Sequence, residues 1–268
     1  MKEFNDIDDA KKEGLRIMAA VHEFCVKNSI KYSLFYGSLL GAVRHNGYIP
    51  WDDDIDVAMP REDYERFITS FGDESFGVMT CYNSKYYYLP YAKVYSKNTL
   101  KIEDIRVHKK FSIGFNIDIF PLDLFSNIDN FRKAKKKEEK LLKKSNLSIL
   151  PNKIDSFKTF ITSLISVPLW MTRSYNRCSK KLDTFFINYD KNNSEKKYYV
   201  GNETNGYKTE LAFDSDIFDD LSLHDFENYQ FFITNKYDSV LKQRYGDYMK
   251  LPPQNQRITH HNFKAFFK

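Results

Sequence analysis

Pro50-Trp51-Asp52-Asp53-Asp54-Ile55-Asp56-Val57 is the stretch of this 268-residue chain on which the reading of the fold turns. Side chains of an extended strand alternate between faces and rise about 3.3 Å per residue. On that spacing Ile49–Val57 reads as a strand with Asp52, Asp54 and Asp56 on one face. Asp53, Ile55 and Val57 share the other, where Ile55 and Val57 can join a core. Carboxylates gathered so closely repel one another, which raises their pKa values. A divalent cation removes that penalty: two carboxylates two residues apart can grip one Mg²⁺, or bracket two ions about 3.5–4 Å apart. Acid runs are ordinarily solvated loops, but here Ile and Val interleave the acids. An EF-hand calcium loop would use Asp52, Asp54 and Asp56 as its first three ligands and Asp63 near its last. Its sixth position requires Gly, and this chain has Val57 there.

Immediately upstream, Tyr36-Gly37-Ser38-Leu39-Leu40-Gly41 reads as a turn opening a short helix over Leu39–Arg44. A Gly-Ser turn at a helix start presents backbone N–H groups and a hydroxyl, which suit a phosphate. Gly-Ser alone is usually just a tight turn; its weight comes from one short helix linking it to the acid run. Further out, Asp8–Lys27 shows helical apolar spacing through Leu15, Met18, Ala19, Val21, His22 and Cys25, and Pro60–Phe71 reads as a helix with Tyr64, Phe67 and Ile68 inward. Ile30–Tyr36, Val78–Cys81, Tyr86–Val94, Thr99–Val107, Ile113–Ile119 (ending at Phe120-Pro121) and Lys197–Val200 are strand-like, and Leu223–Phe232 resembles a short hairpin. Ile128–Lys144 reads as a charged helix, Ile154–Lys181 as a helix broken near Pro168, Tyr237–Tyr245 as a helix stopped by Gly246, and Leu251–Lys268 as an irregular tail. This order implies an α+β fold.

The bulk properties exclude several classes. Hydrophobic residues make up 42% and aromatics 16%, so the chain is globular. The net charge of +5 is too mild to imply nucleic acid as a partner. Its distribution is more informative: acid gathers at Asp52–Asp56 and Asp214–Asp220, base at Arg132–Lys144, which points to a metal site in one place and an anionic surface partner in another. Cys25, Cys81 and Cys178 lie far apart with no C-x-x-C pair, as expected of reduced thiols in a cytoplasmic protein rather than a zinc site. Met1–Lys12 is charged and lacks a signal-peptide core, and no stretch is apolar for long enough to span a bilayer.

Phe35-Tyr36-Gly37-Ser38-Leu39-Leu40-Gly41-Ala42-Val43-Arg44, followed by Ile49–Val57, resembles the LicD family of phosphocholine transferases, a branch of the nucleotidyltransferase fold, and the catalytic domains of fukutin and fukutin-related protein. The likeness continues at Asn116-Ile117-Asp118-Ile119-Phe120-Pro121-Leu122-Asp123 and at Tyr245–Pro253, with Arg257 and His260-His261 beyond. It implies a nucleotidyltransferase-fold mixed sheet flanked by helices, with an additional helical segment in mid-chain. The corresponding organisation is a catalytic core over 1–126, a helical insertion over 127–205, and a C-terminal part over 206–268 that completes the site. The resemblance matches Gly37 and Ser38 to the phosphate turn, Asp54 and Asp56 to paired metal ligands, and Asp118 to the third carboxylate, a metal ligand or the base for the acceptor hydroxyl. It implies Mg²⁺, with Mn²⁺ as a substitute, CDP-choline as donor, and a lipid-linked glycan precursor of teichoic acid or lipopolysaccharide type as acceptor. Alternatives are transfer of ribitol phosphate or another polyol phosphate, or a non-catalytic scaffold. One departure is Phe226-Glu227-Asn228, where the family often has Gly third, which puts a local turn in doubt.

Supporting residues have two readings each. Arg44 can reach a phosphate bidentately or form a surface ion pair. Asp52 and Lys93 can meet substrate charge or stay solvated, Trp51 and Tyr48 can stack on a ligand or join the core, and His260 can contact phosphate or be inert. Phe157–Met171, apolar and preceded by the lysine-rich 133–144 stretch, suits a helix lying in a headgroup layer, which would make the protein peripheral at the inner face of the cell membrane. Such stripes are more often core.

Overall fold

Asp6 starts the first long helix of this computed structural model, its carboxylate accepting the backbone N–H groups of Asp8 and Asp9. The structure describes residues 1–103, 105–106, 111–127, 150–151, 157–172, 174–189, 198–201, 212–259 and 263–268, with scattered positions between 129 and 143. In chain order the elements are β1 (Lys2–Glu3), α1 (Ile7–Lys27), β2 (Ser33–Leu34), α2 (Tyr36–His45), β3 (Asp56–Pro60), α3 (Arg61–Ser70), β4 (Phe76–Met79), β5 (Ala92–Ser96), β6 (Thr99–Glu103), β7 (Ile105–Arg106) and β8 (Asn116–Phe125). There follow β9 (Leu150–Pro151), α4 (Phe157–Met171), α5 (Ser174–Tyr189), β10 (Tyr198–Gly201), β11 (Ala212–Asp214), β12 (Leu221–Phe226), β13 (Tyr229–Thr234), α6 (Tyr237–Tyr245), a 3₁₀ turn at Gln254–Gln256, and β14 (Phe263–Phe267).

The main sheet is mixed, in the order β11-β10-β8-β3-β2, with β5 also on β8 and β4 on β5. The fold is α+β. Its axis is β8, parallel to β3 on one side and flanked on the other by two antiparallel strands in tandem: β5 pairs Asn116–Ile119, and β10 pairs Leu122–Phe125. Ile117 and Ile119 are buried, and α1 and α3 meet through Phe24, Phe67 and Phe71. Arg61, at the start of α3, donates two hydrogen bonds to Asp123 of β8 at 2.8 and 2.6 Å and one to Asp183 of α5 at 2.9 Å, tying both helices to the central strand.

Several sequence expectations need correcting. The expected strand Ile49–Val57 begins only at Asp56; the backbone turns at Pro50-Trp51, where the Asp52 N–H donates to the Ile49 carbonyl. β8 does not stop at Phe120-Pro121. It runs on to Phe125, because Pro121 falls where β5 has ended and β10 has not yet begun, so no ladder partner needs its missing N–H. Tyr86–Tyr91 is not strand, and Ile30–Tyr36 yields only Ser33–Leu34. Helix α4 passes through Pro168 to Met171, and the break comes after it. The tail is not irregular throughout: β14 pairs with β1 and β6, a long-range pairing that local pattern does not encode. The expected hairpin is present as β12–β13. Most of the expected Ile128–Lys144 helix lies outside the described residues, as does Val107.

Candidate active site

The floor of the site is one row of side chains across three adjacent strands. Asp56 of β3 is paired in register with Asp118 of β8, and Asp118 in turn with Lys93 of β5. Partners in register project to the same side, about 4.8 Å apart across each strand pair. The Lys93 ammonium donates to Asp118 Oδ1 at 2.5 Å. Asp52 and Asp54, in the extended segment before β3, turn into the same cavity, whereas Asp53 and Ile55 are buried behind it. The alternation expected of a strand therefore survives where the strand itself does not.

Above the floor stands the N-terminus of α2. Tyr36 adopts a left-handed conformation (φ 46°), and Tyr36 and Gly37 line the cavity. Ser38 is buried; its hydroxyl oxygen accepts the backbone N–H of Asp56 at 2.8 Å, fastening the helix start to the carboxylate strand. The cavity measures about 970 Å³ and its far wall comes from α6 and the segment after it, including Arg244, Tyr245, Tyr248, Lys250, Asn255 and Gln256. That size suits a ligand as large as a nucleoside diphosphate conjugate. Arg44 lines it and donates to the Tyr248 carbonyl at 2.7 Å, so one guanidinium bridges α2 and the far wall.

Electrostatics single out Asp56. Burial pushes its carboxyl well above the usual carboxylate range, and Asp54, Asp118 and Asp52 push the same way while Lys93 opposes them. A divalent cation relieves such a site, and an all-oxygen donor set is the one Mg²⁺ takes. Among the described residues no group of three or more His, Cys, Asp or Glu is gathered closely enough to hold an ion unaided. Mg²⁺ commonly sits on one or two carboxylates with substrate phosphates completing its shell, so Asp54 and Asp56 fit it in company with a bound diphosphate.

The structure thus brings Gly37, Arg44, Asp52, Asp54, Asp56 and Asp118 to one cavity, with Lys93 on Asp118 and Ser38 behind Asp56. His260 lies outside the described residues, as does His261. Trp51 lines the cavity with the Arg257 guanidinium 5.8 Å from its ring centroid, while Tyr48 is core, its hydroxyl donating to the Lys11 carbonyl at 3.0 Å. Sequence reading missed Arg244, whose guanidinium stacks 4.3 Å from the Tyr36 ring centroid, and the Tyr91–Phe120 pair, with centroids 4.4 Å apart. The only signals were adjacency: Arg244 precedes the Tyr245-Gly246-Asp247 block, and Tyr91 is two residues from Lys93.

Comparison with known proteins bears on this arrangement. The family model described as LicD/FKTN/FKRP, nucleotidyltransferase domain, matches residues 29–137, which hold the whole carboxylate floor and the α2 start. The lipopolysaccharide cholinephosphotransferase LicD of Haemophilus influenzae is 30% identical over 260 residues, covering 94% of this chain and 94% of that one. The chain belongs to the LicD family. Two shorter matches are uncharacterised proteins of Rickettsia typhi, 50% identical over 52 residues (19% of this chain, 17% of that one), and Rickettsia prowazekii, 52% identical over 48 residues (18% of each). As a LicD-family member the protein is a phosphotransferase.

Proposed function

We propose that this LicD-family enzyme transfers phosphocholine from CDP-choline to a sugar hydroxyl of a cell-surface glycan precursor, with CMP as the leaving group. The observation that carries the reading is the cavity lined jointly by Asp52, Asp54, Asp56 and Asp118, the α2 N-terminus and Arg44 and Arg244. Few ligands suit both a carboxylate floor and a cationic rim; a diphosphate bound together with a divalent cation does. The choline head group and the glycan acceptor are drawn from the Haemophilus relative, whose name specifies cholinephosphotransfer in lipopolysaccharide.

In this reading Asp54 and Asp56 hold Mg²⁺, which when bound offsets the charge of the diphosphate. Arg44 and Arg244 orient the phosphates, and the N–H groups at the start of α2 add a fixed positive field. The acceptor oxygen attacks the phosphorus that bears choline. The new O–P bond forms as the P–O bond to CMP breaks, and the hydroxyl proton passes to Asp118. Lys93 holds that carboxylate in place and supplies positive charge beside the transferring group. The test is a panel of CDP-linked donors, including CDP-choline and CDP-ribitol, followed for CMP release with and without Mg²⁺. Release that requires CDP-choline, Mg²⁺ and a sugar acceptor is expected; release with CDP-ribitol alone reassigns the transferred group.

A further inference from the structure

Helix α4 shows a row of large apolar side chains to solvent. At 3.6 residues per turn Phe160, Leu164, Val167 and Met171 fall on one stripe, with Ile161 at its edge. These five are exposed, from 42% at Val167 to 69% at Met171, while Ser163 and Ser166, to one flank of the stripe, are buried. The Ser166 hydroxyl is buried with no hydrogen-bond partner among the described residues. In α1, by contrast, Ile17, Met18, Val21 and Cys25 are inward and Lys12 and Lys27 outward. A helix that buries serines and shows a row of large apolar side chains is finished by something outside the fold.

Charge says what covers it. Residues 157–171 contain no acid. The one acid of α5, Asp183, is buried and already engaged by Arg61 and Tyr82. The charged residues that α5 shows to solvent, Arg177 and Lys181, are basic; Thr184 and Asn188 are exposed beside them. Among the described residues of the preceding stretch, Asp129 is paired with Arg132, and Lys133, Lys136, Lys140 and Lys143 are exposed, leaving it net positive. A second copy would bring the same positive field against this one, whereas an anionic lipid surface complements it. No helix among the described residues is long and apolar enough to cross a membrane, so α4 would lie in the plane.

We infer that α4 docks this protein on an anionic phospholipid surface, with Phe160, Ile161, Leu164, Val167 and Met171 in the boundary between headgroups and acyl chains. The inference holds whatever group the enzyme transfers. The test is co-sedimentation of the full chain with vesicles of phosphatidylcholine alone or mixed with phosphatidylglycerol, at low and high salt. The native protein and the Phe160→Ser/Leu164→Ser/Met171→Ser variant are compared, with circular dichroism and size-exclusion profiles of both. The native protein pellets with the mixed vesicles, less so at high salt. The variant, replaced only at exposed positions and with an unchanged spectrum, partitions roughly a hundredfold more weakly. A single Leu164→Ser variant gives an intermediate loss and guards against misfolding of the triple variant. Native protein that stays in the supernatant with both vesicles overturns the inference, as does equal pelleting of the triple variant. A native dimer that the variant turns into a monomer, without pelleting, assigns the face to a second copy and overturns it too.

Discussion

At one end of the parallel pair β3–β8, Asp56 and Asp118 stand side by side with Asp54 and Asp52 turned into the same cavity. At the other end of the same two strands, Asp123 accepts two hydrogen bonds from Arg61, which also holds Asp183. Burial works against the Arg61 charge, yet Asp123 and Asp183 outweigh it and keep the guanidinium firmly protonated. At Asp56 the balance falls the other way: burial and three neighbouring carboxylates raise it and outweigh the opposing Lys93. The two ends use the same residue types for different ends. A paired, geometrically satisfied cluster holds α3, α5 and β8 together. The acid row at the other end gathers around a buried carboxyl held well above its usual range, the kind of perturbed group that marks a candidate functional site.

Asp56→Asn tests that contrast most severely. Loss of a ligand to the proposed metal should cut CMP release by about a thousandfold or more, whereas near-normal turnover by a folded variant would remove Asp56 from the chemistry. The metal-free fold should become more stable by about 1 kcal/mol, or roughly 2–4 °C in Tm. The sign follows from linkage: an acid whose folded-state pKa is raised supports the fold at low pH, and that support fades as pH climbs from the ordinary carboxylate range toward the raised value. Mg²⁺ affinity, measured by calorimetry, should for the same reason fall as pH is lowered.

Asp118→Asn should slow turnover by about 10²–10⁴-fold with donor affinity largely kept, if its role is the proton. A parallel loss of Mg²⁺ affinity would place it in the metal shell, and unchanged kinetics would exclude it from the site. At the other end of the strands the effects should invert. Asp123→Asn should cost about 3–5 kcal/mol of stability by stranding a buried charge, with activity per folded molecule kept; denaturant melts alongside active-site titration separate the two. The smallest effect is expected at Gly47→Ala. A Cβ there would meet Glu227 Oε1 at 2.3 Å and force away the carboxylate that accepts the Tyr48 N–H at 3.0 Å. The loss of that bond is worth about 1 kcal/mol, read as a small drop in Tm.

The acid floor was legible in the sequence because its information is local: Asp52, Asp54 and Asp56 sit two apart, and parity survives even an irregular backbone. Asp118 was legible from resemblance and from its apolar flanks, but its pairing with Lys93 depends on the register of β5, which no local pattern states. The tandem partners that let β8 pass through Pro121 are likewise non-local, as is the pairing of β14 with β1 and β6. Glu227 shows a third kind of limit. It occupies a left-handed position (φ 54°) that favours Gly, and its compensation comes from Tyr48 and from the Asn46 carbonyl, far away in sequence.

The far wall of the cavity has its own consequence. Between β13 and β14, residues 237–259 bury only Val240, Leu241 and Tyr248. Their ties to the body include Arg44 to the Tyr248 carbonyl and Gln243 to the Ala212 carbonyl. The floor, by contrast, is in the most deeply paired strands of the sheet. Amide protons of this wall should therefore exchange with solvent through brief sub-global openings, while those of β3 and β8 wait for the whole sheet to melt. In the proposed reaction, a bulky donor can then enter and CMP leave by loosening the wall alone, with the carboxylates keeping their register.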